Sequence, residues 1–249
     1  SGTVVELGSR VEGFEVGDRV YGVCDGSFAE FAVAKPSKIA KMPAGLSFER
    51  AAGIPVSAVA AHAAIAPEDT TVETSLVVGA SGGVGGFLCQ LLLAQDTKIT
   101  ATSSPKKKAQ LESLGQMTVI KHEEIDSLPA GKFQRIYVVG GKKTPRDYFH
   151  LLSPRGKVVV LGSDQAGSRF FGGFATNFIQ AMRWPKKIKV VVSSEQPQKL
   201  LEVTETLMDK ASLAQVTSGI DNSIDAIRRF QNGEVFGRLV VEIKPERIQ

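Results

Sequence analysis

Hydrophobic positions change their spacing along the chain. In the first third they come in short runs broken by turn chemistry. Residues 3–7 alternate weakly, 18–23 follow a Val16-Gly17-Asp18 turn, and 27–34 form a short apolar run carrying Phe28 and Phe31. Each reads as a strand. Lys35-Pro36-Ser37 and Met42-Pro43-Ala44-Gly45 are breaks. Ser47 reads as a helix N-cap, with Arg50 where a capping-box acid would stand. The uncharged, Ala-rich stretch 51–66 predicts one or two buried helical segments around Pro55.

From residue 75 onward apolar runs alternate with helical patterns. Strands are predicted at 75–78, 98–102, 117–120, 135–139, 157–161 and 187–192. Helices are predicted between them at 84–95, 106–114 (opened by Pro105), 145–152 and 177–183. This alternation predicts an α/β protein with a doubly wound parallel sheet. Helices at 197–210 and 223–231 and a last strand at 238–243 form a tail expected to return to the β-rich first piece. No internal repeat or low-complexity segment stands out.

Composition narrows the class. The 249 residues are 43% hydrophobic and 22% charged, which fits a globular chain with ample core and excludes disorder. The 25 glycines follow no strict period and there are two cysteines, Cys24 and Cys89, so collagen and disulfide scaffolds are excluded. Residues 74–95 carry no charge and are long enough to span a bilayer, but five glycines in their middle favour a strand, a turn and a buried helix. No transmembrane segment and no secretory leader is expected. The net charge of +4 is mild, and neither basic cluster, 106–108 or 183–189, is interleaved with several aromatics. Nucleic acid is therefore not an expected partner. The chain reads as intracellular and soluble, with cytoplasm, mitochondrion and plastid left open because a transit peptide would precede Ser1.

The segment Leu76-Val-Val-Gly79-Ala-Ser81-Gly82-Gly83-Val84-Gly85-Gly86 leaves a predicted strand and opens a predicted helix. Glycines there allow a tight turn and let backbone approach a pyrophosphate, which the helix N-terminus attracts with free N–H groups and dipole. A plain strand-to-helix bend is the bland alternative. The next strand discriminates between cofactors. An NAD site places Asp or Glu at its end, whereas here it ends Thr100-Ala-Thr102-Ser103-Ser104-Pro-Lys106-Lys107-Lys108. Hydroxyls plus Lys suit a ribose 2′-phosphate and hence NADP(H), against the alternative of a solvated basic helix start.

The order of motifs resembles the medium-chain dehydrogenase/reductase superfamily. Val11-x-x-Phe14-x-Val16-Gly17-Asp18-Arg19-Val20-Tyr-Gly22, Gly26-Ser27-Phe28-Ala29-Glu30 and Lys41-x-Pro43-x-Gly45-Leu46-Ser47-Phe48-Glu49 carry the likeness. So do Ile54-Pro55-Val56, Leu152-Ser-Pro-Arg-Gly156 through Gly162, and the ending Gly237-Arg-Leu-Val-Val-Glu-Ile243. The glycine loop looks like that of the zinc-less, quinone-oxidoreductase-like branch. The resemblance implies a GroES-like catalytic domain, partial because its opening strands are missing, at 1–54 and 195–249. It further implies a Rossmann domain at 55–194. By position it implies cofactor contacts at Gly79, Ser81, Gly82, Gly83, Val84, Gly85, Ser103, Ser104, Lys107, His122, Gly140 and Gly162. A dimer through the Rossmann sheet edge is the implied assembly. The aromatic stretch Phe170–Phe174 with Phe178 is expected to border the nicotinamide pocket or the dimer interface, or to be plain core.

The implied activity is NADPH-dependent hydride transfer to a quinone or an α,β-unsaturated carbonyl, without zinc. Three histidines at 62, 122 and 150 share no ligand spacing, and Val56-Ser57 stands where zinc-dependent relatives place a Cys ligand. No catalytic residue stands out. Tyr21 and Ser57 are candidates for the cleft or for packing, while His62 and Cys89 read as core. Several positions depart from the family pattern. Ala60 stands where a Thr is common, His122 where a Tyr often follows the strand, and Gln134 where an Asp is frequent, and 135–141 is one residue short. These departures keep a second reading open, a catalytically degenerate member serving as a structural subunit of a larger assembly and still able to bind NADP(H).

Overall fold

The computed structural model describes residues 1–65, 72–141, 143–161, 177, 179–192, 196–210, 213–219 and 222–243. It divides into two compact units, Ala60–Ser193 and Ser1–Val59 with Ser194–Gln249.

Unit Ala60–Ser193 is built on six strands: β4 (Thr74–Val78), β5 (Lys98–Thr102), β6 (Thr118–Ile120), β7 (Phe133–Val138), β8 (Leu152–Val160) and β9 (Ile188–Val190). All neighbours run parallel, in the order β6-β5-β4-β7-β8-β9. The order reverses at β4, whose two neighbours β5 and β7 lead to opposite halves of the sheet. This is the doubly wound arrangement the alternation predicts. Near-continuous apolar runs fit strands covered on both faces. On one face Leu76, Val78, Ile136, Val138, Val158 and Val160 pack with Tyr148 and Leu151. The helix α3 (Gly83–Leu93) is uncharged and buries every residue from Gly85 to Leu92, as an all-round apolar helix must.

Two elements differ from expectation. The helical pattern at 145–152 is a 3-10 helix, Pro145–Leu151, held at its start by Thr144, whose N–H donates to Asp147 Oδ2 at 2.7 Å. Strand β8 starts at Leu152 rather than 157. Its register against β7 jumps from Phe133↔Leu152 to Arg135↔Lys157, so Ser153-Pro154-Arg155-Gly156 forms a bulge. A bulge tolerates the missing N–H of Pro154. Gly156 is required there, since a Cβ would lie 2.7 Å from the Phe133 carbonyl oxygen.

The other unit carries β1 (Gly2–Thr3), β2 (Arg19–Gly22) and β3 (Ile39–Lys41) as an antiparallel sheet, and the parallel pair β10 (Ala214–Ser218) and β11 (Arg238–Glu242). The helices α1 (Phe48–Gly53) and α2 (Pro55–Ala64) start at Ser47 and Pro55; Ser47 Oγ accepts the Arg50 N–H at 3.3 Å. Arg50 in turn donates to the carbonyls of Leu207, Met208 and Lys210 at 2.9–3.2 Å, satisfying the end of the helix Pro197–Leu207. The strand expected at 27–34 is absent. β2 already has a partner on each side, and Phe28, Phe31 and Val33 are 59%, 69% and 92% exposed. Conversely, β3 and β10 carried too little apolar pattern to be read as strands.

Candidate nucleotide-binding site

Strands β4, β5 and β7 are parallel, so their carboxyl ends lie on one side of the sheet, and the chain reversal in strand order falls at β4. This is where an open α/β sheet leaves a crevice. The turn from β4 into α3 occupies it. Gly79 adopts φ +85°, and a Cβ there would approach Gly140 N to 3.0 Å, so the turn passes against the loop that leaves β7. Gly140 itself donates toward the Val78 carbonyl at 3.4 Å. Gly85 is required for a different reason. A Cβ on it would sit 2.3 Å from the Gly79 oxygen and 2.7 Å from Ala80 Cα, so only glycine lets the helix close onto the turn.

Gly82 is the N-cap of α3, and a Cβ there would meet nothing nearer than the Gly79 oxygen at 3.8 Å. Its backbone carbonyl takes the Gly86 N–H at 2.8 Å, but as a glycine it offers no side chain to the first helical N–H groups. Those donors have no acceptor within the helix. They leave a positive, open end suited to an anion. Ser81, Gly83 and Val84 around it are half-buried.

Thr102 was not anticipated. It ends β5, and its Oγ1 accepts the Gly79 N–H at 3.0 Å while its carbonyl accepts the Ala80 N–H at 3.2 Å. This hydroxyl locks the glycine turn to the neighbouring strand. The signal was present as one more hydroxyl in the Thr-Ala-Thr-Ser-Ser run, but nothing in the spacing separated it from Ser103 and Ser104.

Beyond β5 the chain makes a 3-10 turn, Pro105–Lys107, before α4 (Lys108–Glu112). The expected single helix at 106–114 is thus split, because Pro105 opens a tighter turn. Ser103 is buried. Its hydroxyl donates to the Ser104 carbonyl at 3.1 Å and its N–H to the Ile120 carbonyl at 3.0 Å, so its work is to shape the turn. Ser104 caps the 3-10 turn with its backbone, its side chain making no cap bond, and its carbonyl accepts the Lys107 N–H at 3.0 Å. Lys107 is half-buried while Lys106 and Lys108 are exposed, and desolvation holds the Lys107 ammonium below the ordinary lysine range. Lys108 pairs with Glu112 at 3.7 Å. His122 is exposed and starts the 3-10 helix His122–Ser127. It lies two residues after Ile120, the partner of Ser103.

Tyr21 is buried and donates to Thr204 Oγ1 at 2.8 Å, a core contact within its own unit. Ser57 is buried on α2 with no partner for its hydroxyl. Cys89 is buried in α3, where burial pushes its thiol up to about 12, making it inert at neutral pH. Gly162, Phe170–Phe174 and Phe178 lie outside the described residues. Among the described residues no group of three or more His, Cys, Asp or Glu could hold a metal ion. Among the same residues no helix is long and apolar enough to cross a membrane.

Residues 1–44 match the alcohol dehydrogenase GroES-like domain. Over 97% of its length the chain is 28% identical to a chloroplastic quinone-oxidoreductase homolog of Spinacia oleracea, covering 78% of that protein. It is 33% identical to the 2-methylene-furan-3-one reductase of Solanum lycopersicum over 65% of its own length, covering 45% of that enzyme. Among solved structures, the quinone oxidoreductase of Coxiella burnetii superposes with a TM-score of 0.79 at 21% identity, covering 98% of this chain and 77% of that one. A mycobacterial protein solved with NADPH gives 0.73 at 20% identity, over 97% and 80%. The two-unit architecture, the six-stranded sheet with its glycine turn at the reversal point and these likenesses agree. The chain is similar to the medium-chain dehydrogenase/reductase superfamily, in its quinone-oxidoreductase-like branch.

Proposed function

We propose that this chain is a zinc-independent reductase that binds NADPH and delivers its hydride to a quinone or an α,β-unsaturated carbonyl. The observation that carries the reading is the pairing of two features at one end of the sheet. One is the uncapped, glycine-lined start of α3; the other is the half-buried Lys107 beyond the neighbouring strand. The relative from tomato is named for an exocyclic enone substrate, and the mycobacterial neighbour was solved with NADPH, which supports this choice of substrate and cofactor class.

NADPH supplies the hydride at its nicotinamide ring, and the rest falls to the chain. The N–H groups of Gly83, Val84 and Gly85 hold the pyrophosphate, which Gly82 admits because it has no side chain. Thr102 keeps the turn in place through Gly79. Ser104 and Lys107 take the 2′-phosphate, and the absence of an acid at the end of β5 removes the partner that the free ribose hydroxyls of NADH would use. His122, next after the neighbouring strand, borders the adenosine, and Gly140 lets the β7 loop come close to the dinucleotide. Positioning and electrostatics, rather than a metal or a general acid, then carry catalysis.

Calorimetric titration with NADPH and NADH tests this. The expected result is NADPH binding that weakens about tenfold in Lys107→Ala while NADH binding is unchanged, the loss of one charge-assisted contact. A folded protein that binds neither would overturn the proposal and favour the degenerate, structural member of the superfamily.

A further inference from the structure

Two turns meet at the carboxyl end of β5, and one residue serves both. The ladder between β4 and β5 ends at the pair Val77↔Ala101. One position further the Thr102 side chain takes over, its Oγ1 accepting the Gly79 N–H at 3.0 Å. The Thr102 carbonyl accepts the next donor, the Ala80 N–H, at 3.2 Å. Thr102 is fully buried, so water does not compete for either oxygen. From the opposite flank Val139 and Gly140 donate to the Val78 carbonyl at 3.0 and 3.4 Å. The bonds from β7 thus hold the end of β4, while Thr102 holds the two residues that lead on toward α3.

The chain after Thr102 is held as closely. The buried Ser103 donates its N–H to the Ile120 carbonyl at 3.0 Å, and the Ser104 carbonyl accepts the Lys107 N–H at 3.0 Å. Ser104 lies two residues and Lys107 five residues beyond Thr102. The glycine turn that would take the pyrophosphate and the turn that would take the 2′-phosphate are therefore joined through a single threonine.

Resting on the NADPH reading above, we propose that Thr102 is a positioning residue that sets the spacing between these two subsites and thereby the preference for NADPH. In NADPH the 2′-phosphate and the pyrophosphate are carried by one ribose, so their separation is narrowly limited. A ligand with two linked groups gains from both contacts only when the protein already holds the two subsites at a matching distance. NADH presents the pyrophosphate alone, and a loosened turn can move to meet it. The chemistry of Thr102 suits this task. A β-branched side chain has few χ1 choices, so its hydroxyl stays where the backbone puts it. Gly79, at φ +85°, has no side chain of its own to steady the turn. Valine would fill the same space and leave the Gly79 N–H without its acceptor.

Calorimetric titration of variants tests the coupling. Thr102→Val is expected to weaken NADPH at least about tenfold and NADH no more than about threefold. Thr102→Ser keeps the hydroxyl and should stay within about twofold of wild type for both cofactors. Lys107→Ala, which costs about tenfold in NADPH affinity alone, should cost only about threefold beside Thr102→Val. Thermal unfolding checks that each variant is folded. Hydrogen exchange of the wild-type chain needs no variant. There 2′-AMP, which carries the 2′-phosphate without a pyrophosphate, should slow the Gly79 and Ala80 amides at least about threefold more than adenosine does at equal occupancy. Equal losses for NADPH and NADH in Thr102→Val, additive effects of the two substitutions, no rescue by serine, or amides indifferent to 2′-AMP would each overturn the inference and leave NADPH binding standing. A wild-type protein that binds no NADPH would overturn the cofactor reading and this inference with it.

Discussion

The two units use hydrophobic runs in opposite ways. In Ala60–Ser193 a run of apolar residues means a strand covered on both faces: Leu76-Val77-Val78 and Val158-Val159-Val160 are all buried. In the other unit the apolar run at 27–34 is not a strand, and three of its side chains face solvent. The difference lies in partners. Each interior strand of the parallel sheet has a neighbour on both sides, and β7 and β8 are parallel neighbours joined by a crossover that carries the 3-10 helix Pro145–Leu151. The run at 27–34 follows a strand whose two edges are already taken by β1 and β3. An apolar sequence becomes a strand only where an open ladder and a covered face await it.

The glycine turn offers the sharpest way to test how tightly the first unit described is constrained. Gly85→Ala forces a Cβ to 2.3 Å from the Gly79 oxygen, a backbone atom that cannot swing away. It should destabilise the protein by about 3 kcal/mol. Gly82→Ala, only three residues earlier, has 3.8 Å of clearance and an extended φ of −87°. It should cost no more than about 1 kcal/mol in stability and yet weaken NADPH, because the methyl stands where the pyrophosphate approaches. Chemical denaturation and cofactor titration of both variants separate these effects. If Gly85→Ala were as stable as wild type, the close packing of turn against helix would be wrong.

This contrast also explains what could be read from the sequence. The parallel sheet, the turn and the β5 terminus were legible because period, glycine spacing and the lack of an acid after the strand are local signals. Strand β8 was read five residues short because Pro154 and Gly156 look like a break, and only the partner strand β7 shows that they form a bulge. Thr102 was missed because its bond to Gly79 joins residues 23 positions apart. The run at 27–34 was misread because its exposure depends on which edges β2 leaves open. In the site, the turn was legible residue by residue, whereas the burial of Ser103 and of Lys107 relative to its lysine neighbours required the fold.

Within the β-rich unit the largest expected effect comes from Tyr21. Its hydroxyl is buried and donates to Thr204, which in turn donates to the Leu200 carbonyl at 2.6 Å. Burial raises its phenol above the ordinary tyrosine range, so it remains a neutral donor at neutral pH. Tyr21→Phe removes one buried hydrogen bond while Thr204 keeps its other partner, and should cost about 1 kcal/mol. Activity should not change, since this side chain is a core contact. A loss of turnover at unchanged stability would instead return Tyr21 to the chemistry.

The smallest effect is the one that decides the comparison. Phe31 is an aromatic of the same unit, ten residues after Tyr21, but 69% of it faces solvent. Phe31→Ser removes a ring with little buried area to lose, and surface changes of this kind stay within about 0.5 kcal/mol. The unfolding midpoint in denaturant should therefore match wild type, and the slope with denaturant should be unchanged. A loss near that of Tyr21→Phe would mean that the run at 27–34 is covered in solution, and the rule that an apolar run without an open ladder stays outside the core would fail at the place from which it was drawn.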